Sequence, residues 1–208
     1  TFTNINVIHT GTSAGKPLTE ARAGDVNLNY VTVAAENWKG TYTFLTLGSR
    51  TKSEACPVTA NLEGCNIDLG TTGCTAIYYG GNSNEVNGYT AAVNFFNSTV
   101  ATSGKVVKAN PTVAAAPVCS IEIYFDAGSV IKSASIFEIN RISADKILIG
   151  IDVGARFSSI PTIENGSITY EGDVFVYNAT DNLFAMATAA TMAYISLGKA
   201  KIFCPSRQ

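Results

Sequence analysis

The chain has 208 residues, a net charge of -2 and only 14% charged residues, against about 25% in ordinary soluble domains. Its 14 basic residues are scattered singly, so it lacks the cationic footprint that nucleic acid or an anionic membrane surface would need. The length suits one large domain or two small ones burying roughly 70% of the unfolded surface, and no run approaches the ~18 apolar residues of a membrane span.

Residues 1–10, TFTNINVIHT, are β-prone but alternate poorly: Phe2 and Ile8 share one parity, Ile5 and Val7 the other. The following GTSAGKPLTEARAGD has linker character. An N-terminal strand and linker over 1–23 is therefore expected, held by the chain's own sheet or by a neighbouring subunit, with a head domain over 24–208. From Val26, VNLNYVTV alternates cleanly, Glu36-Asn-Trp-Lys-Gly supplies a turn and TYTFLTL returns, which predicts a hairpin. Residues 49–75 read as a Cys- and Gly-bearing loop.

AIYY (76–79) and YTAAVNFF (89–96) read as strands around a Gly-Gly-Asn-Ser-Asn turn, with KVVK and ANPTVAAAP as a short strand and a connection. Residues 118–153 hold three apolar, β-branched runs separated by Asp-Ala-Gly and Arg-Ile-Ser-Ala-Asp. Ile121, Ile123 and Phe125 alternate there with Glu122 and Tyr124, as the centre of a sheet requires. SITY and DVFVYN follow as strands, LFAMATAATMAYIS (183–196) suits either a helix or a strand pair, and KAKIF leads into Cys204. No internal repeat stands out. Short strands with turns every eight to twelve residues or so predict an all-β fold, a β-sandwich of Ig-like or pilin-like type with an N-terminal extension strand.

Five cysteines occur, Cys56, Cys65, Cys74, Cys119 and Cys204. The first three are equally spaced without a C-x-x-C pair, and one His in the whole chain supplies no mixed site, so zinc is not expected. They suit a local bridge within 56–74 and a long-range bridge from Cys119 to Cys204; reduced, buried thiols are the alternative. Three N-glycosylation sequons begin at Asn97, Asn165 and Asn178, making N-linked glycans expected partners, while Asn110 is disqualified by Pro111. The chain opens on Thr rather than Met, which a cleaved signal peptide or a shortened chain explains.

No catalytic constellation is expected. Gly11-Thr-Ser13-Ala-Gly15 matches the G-x-S-x-G elbow, but that motif needs a strand leading into a helix and a His downstream, whereas the single His9 lies upstream. Ile149-Gly-Ile-Asp152-Val-Gly154 resembles the first phosphate loop of actin-like ATPases and sugar kinases; there the motif opens a domain, and here only 54 residues follow. A strand ending in a Gly turn accounts for it, and no cofactor is expected. Glu122, Glu138 and Asp152 are the carboxylates available for glycoside hydrolysis. Trp38 and the nine tyrosines offer rings for stacking on sugars.

With its extension strand, sequons and uncharged polar surface, the chain resembles subunits of surface filaments that polymerise by donor-strand complementation. It looks more like the thread subunits of thermoacidophilic archaea than bacterial chaperone–usher pilins. The resemblance implies a non-enzymatic, extracellular cell-surface protein in a head-to-tail polymer of identical subunits, with Phe2, Ile5, Val7 and Ile8 entering the sheet of the next subunit. The alternatives are a secreted carbohydrate-binding or adhesin module and a glycoside hydrolase.

Overall fold

A computed structural model describes residues 1–9, 17–21, 24–48, 57–80, 90–111, 119–140, 142, 147–150, 152 and 155–158, and the backbone of 151, 163–164, 176–178, 183–185 and 201–203. An N-terminal part-circuit supplies β1 (Phe2–Thr3) and β2 (Thr19–Ala21). The next circuit runs through β3 (Gly24–Asn29), β4 (Thr32–Val33) and β5 (Thr43–Leu47), and the following one through β6 (Val58–Glu63), β7 (Asn66–Asp68) and β8 (Thr75–Tyr79). Then come β9 (Thr90–Phe96), β10 (Thr99–Ala101) and β11 (Lys105–Ala109), followed by β12 (Ser120–Phe125), β13 (Val130–Lys132) and β14 (Ser135–Ile139). A further circuit holds β15 (Ile147–Ile151), β16 (Arg156–Phe157) and β17 (Ile163–Glu164); β18 (Val176–Asn178), β19 (Leu183–Ala185) and β20 (Lys201–Phe203) complete the described strands.

Each of the five full circuits gives one strand to each of three sheets, ordered β1-β3-β6-β9-β12-β15-β20, β4-β7-β10-β13-β16 and β2-β5-β8-β11-β14-β17 among the described residues. Pairing within these three sheets is parallel, and the antiparallel β18–β19 pair stands outside them. The fold is a parallel β-solenoid, which corrects the expected Ig-like or pilin-like sandwich. The all-β expectation holds, but a strand's partner is the strand one circuit later, not the next in sequence. The expected hairpin of 26–47 is thereby lost: β3 and β5 lie in different sheets, joined through β4 and a short 3-10 turn at Ala35–Asn37. The expected loop over 49–75 contains β6 and β7.

Period-2 alternation is the same in a sandwich and in a solenoid, because either way one strand face is buried. Val26 lies opposite Ala60, Ala60 opposite Val93, Val93 opposite Ile123 and Ile123 opposite Ile149, steps of 34, 33, 30 and 26 residues. The repeat is real but has no fixed period. Much of the shortening falls where the second sheet gives way to the third: the connections 34–42, 69–74, 102–104 and 133–134 hold nine, six, three and two residues. The widest of these corners holds Trp38, fully buried and edge-on to Phe44 at 5.0 Å.

Between the first and second sheets the chain turns sharply through left-handed residues at equivalent places, Asn4, Tyr30, Gly64 and Asn97, with φ of 53°, 55°, 60° and 45°. The turn flips the parity of inward residues, from Val26 and Leu28 before it to Val31 and Val33 after it. The same flip explains the poor alternation of residues 1–10. Phe2 precedes the Asn4 corner, Ile5 and Val7 follow it, and all three pack on this chain's own core, whereas Ile8 is 63% exposed. β1 pairs with β3, Phe2 opposite Leu28 and Thr3 opposite Asn29.

The core between the sheets is apolar and stacked in columns. Leu28, Leu62, Phe95 and Phe125 form one, with the two phenyl rings parallel at 4.6 Å. Full burial of each such side chain contributes about 1.5–3 kcal/mol. Just past the corner, small polar side chains make the same bond in successive circuits. Cys65 Sγ donates to the Leu28 carbonyl (3.1 Å), Ser98 Oγ to Leu62 (3.1 Å) and Ser129 Oγ to Phe95 (3.0 Å). Each gives a carbonyl of the preceding circuit a side-chain donor at a buried position; the Phe95 carbonyl takes it in addition to the N–H of Asp126.

Candidate functional site

Side chains that alternate outward from the first sheet line up across its strands, because parallel in-register pairing places equivalent residues side by side. One row reads Asn27, Asn61, Asn94, Tyr124 and Gly150. The Asn94 amide N–H donates to Asn61 Oδ1 at 2.9 Å, and the Asn61 amide N–H to Asn27 Oδ1 at 2.8 Å. All three amides are half-buried. An interior amide such as Asn61 thus uses one N–H and one acceptor site in the ladder and keeps one of each for an outside partner.

The ladder runs into an aromatic pair. Tyr124 lies over Gly150, where an added Cβ would stand 3.0 Å from the ring, and its hydroxyl donates to Asp152 Oδ2 at 2.5 Å. Phe96, on the neighbouring strand, is tilted against it at 5.7 Å and remains partly exposed. The bond to Asp152, with burial and the charges of Asp152 and Asp126 adding to it, pushes the Tyr124 phenol up to about 12. The ring is thus a neutral donor held at a set angle. Glu122 and Leu148 flank the row and are exposed.

Asp126 caps a corner. Its carboxylate accepts from the N–H of Asn97 (2.9 Å) and the N–H of Gly128 (3.0 Å), and shares the single hydroxyl hydrogen of Ser129 (2.8 Å) with the Phe95 carbonyl. Asp152 occupies the equivalent place one circuit on. Asp126 N–H bonds the Phe95 carbonyl and Asp152 N–H that of Phe125, while the Asp carbonyls accept from Ser129 and Ala155 N–H. Asp152 thus repeats the backbone bonding of Asp126, and the turn expected at Asp152-Val-Gly154 falls on 153–154, outside the described residues.

The carboxylates available for hydrolysis are not brought together. Glu138 faces outward from the third sheet, paired with Lys108 at 2.7 Å. Glu122 lies opposite Leu148, four residues before Asp152, or about 13 Å along the strand at ~3.3 Å per residue.

Trp38, expected as a sugar platform, is 1% exposed, with its indole N–H on Cys74 Sγ (3.2 Å) and the His9 ring 4.9 Å away. Tyr79 is fully buried, whereas Tyr30 and Tyr42 are exposed.

Cys65 and Cys74 are buried free thiols, so the structure contains no local bridge within 56–74. Burial pushes the Cys65 thiol up, and lifts Cys74 to about 11 against the opposing Trp38 N–H. Cys119 is buried, and Cys56 and Cys204 lie outside the described residues. Asn97 is an exposed corner residue, Asn178 ends β18, and Asn165 and Ser13 lie outside the described residues.

Among the described residues no group of His, Cys, Asp and Glu is arranged to hold a metal ion, and no helix is long and apolar enough to cross a membrane. No protein-family model, curated protein or solved structure matches the chain.

Neither the amide ladder nor Phe96 stands out in the sequence, although a signal for the ladder exists. Val26-Asn27-Leu28, Ala60-Asn61-Leu62 and Val93-Asn94-Phe95 are three copies of an Asn between apolar neighbours, continued by Ile123-Tyr124-Phe125. An Asn at the centre of a strand is unfavourable unless its amide finds partners.

Proposed function

We propose that this protein is an extracellular carbohydrate-binding solenoid, acting by recognition rather than turnover, and that the outer face of the first sheet is its binding surface. The observation that carries the reading is the Asn27–Asn61–Asn94 ladder running into Tyr124 and Phe96. Sugars present alternating hydroxyls and C–H faces. Amides held by a ladder supply pre-oriented donors and acceptors for the hydroxyls, and fixed aromatic rings accept the C–H faces. The low charge of the chain and its sequons suit a surface exposed outside the cell. Affinity electrophoresis against neutral polysaccharides tests the reading. Retardation of the native protein is expected, with Tyr124→Ala binding about tenfold more weakly, a loss of ~1.4 kcal/mol. Equal mobility with and without every polysaccharide would sink it.

End-to-end assembly is a second reading, favoured by the edge position of β1, which pairs with β3 on one side and ends the order of the first sheet. On this fold, head-to-tail assembly takes the form of a second copy stacking in register on that edge. Fibres in electron micrographs of the purified protein are the expected result.

A further inference from the structure

We infer that the carbohydrate is an uncharged, extended β-linked pyranose chain lying across the strands, along the solenoid axis, with one sugar for each of Asn27, Asn61, Asn94 and Tyr124. This rests on the binding reading above and adds an orientation, a length and a chemical class.

The face has two natural directions. Along a strand, outward residues recur every ~6.6 Å and their chemistry changes at each step: Thr59, Asn61 and Glu63 on one strand, Glu122 and Tyr124 on another. Across the strands the spacing is about 4.8 Å, close to the length of one pyranose unit in an extended chain, and the chemistry repeats. The two bonds that link the three amides point the same way, Asn94 donating to Asn61 and Asn61 to Asn27, toward the N-terminal end. A polymer of identical units is matched by a row of identical groups in one polarity, and only the axial row has that property. The row ends at a ring fixed by Asp152 and seated on Gly150, with Phe96 beside it, which makes Tyr124 the anchoring subsite. The row itself is uncharged, and the exposed Glu63 and Glu122 in the flanking rows repel an anionic chain such as a polyuronate.

Calorimetric titration with cello-oligosaccharides, from the disaccharide to the hexasaccharide, tests the inference. Affinity is expected to rise at each added sugar to the tetrasaccharide, by ~fivefold per hydrogen-bonded subsite, and then to level off. Asn27→Ala is expected to weaken the tetrasaccharide and leave the disaccharide unchanged, whereas Asn94→Ala weakens both. Asn27→Thr, compared at matched circular dichroism and melting temperature, separates loss of the subsite from loss of the fold. Length-independent affinity, or an Asn27→Ala defect equal at every length, overturns the axial orientation and leaves the binding reading standing. Tighter binding of oligogalacturonates than of cello-oligosaccharides overturns the uncharged class. Failure of every cello-oligosaccharide while a neutral polysaccharide still retards the native protein overturns the proposed length and linkage alone.

Discussion

Cys65, Ser98 and Ser129 do one job in successive circuits, giving a hydrogen to the carbonyl behind them. Cys65 is thus better described as a serine equivalent than as half of a cystine. Cys65→Ser is expected to hold stability within about 0.5 kcal/mol of the native protein. Cys65→Ala is expected to cost about 1 kcal/mol, because the Leu28 carbonyl loses its side-chain donor; urea midpoints at unchanged slope read both. Tyr124 gives a second residue-scale outcome. Its phenol is raised to about 12, chiefly by the hydrogen bond it donates to Asp152, so the folded protein holds that proton more tightly than the unfolded chain does. The associated stability is fully present below pH 10 and lost as the pH climbs from 10 toward 12. Ultraviolet titration of the native protein should show a late-ionising tyrosine that moves back toward 10 in Asp152→Asn. An unchanged profile in that variant would remove Asp152 as the cause.

At the scale of elements, the corners decide what the strands can be. Gly104, in the three-residue corner before β11, sits where a Cβ would stand 2.5 Å from the Cys74 carbonyl oxygen and 2.6 Å from that of Gly73, backbone atoms of the circuit beneath. A side chain there has to lift one circuit off the next. Gly104→Ala is expected to destabilise by about 1–3 kcal/mol, measured by urea unfolding, whereas Gly73→Ala meets no atom within 4 Å and is strained only by its φ of 76°. Strand existence was legible for β3, β5, β8, β9 and β12, because Val26, Leu45, Ile77, Val93 and Ile123 lie within β-branched and aromatic runs that the core buries. β6 and β7 were not, since the cysteines and glycines of 64–74 look like loop chemistry when what they do is turn corners.

For the molecule as a whole, the sequence carried the all-β class and not the topology. Inward alternation says which face of a strand is buried and nothing about which strand lies beside it. The pairing signal was present in the row of apolar–Asn–apolar triplets and in the two Asp-x-Gly triplets that begin at Asp126 and Asp152. It was spread over steps of 34, 33, 30 and 26 residues, so no single period would bring it out. The candidate site was half legible: Glu122 and Asp152 stand out as carboxylates and Tyr124 only as one of nine tyrosines in a strand pattern, while Trp38 stands out for a ring that the widest corner buries.

Those unequal corners also number the circuits. A stack of identical parallel circuits can slip by one whole step and lose little, since every strand meets a strand like the one it left. Here a one-step slip would lay the nine-residue corner around Trp38 over the three residues 102–104, leaving the indole without its cavity and the Cys74 sulfur without its N–H. Graded corner length acts as an address on each circuit, so the chain has one register to fold into and one surface on which the amides come into line.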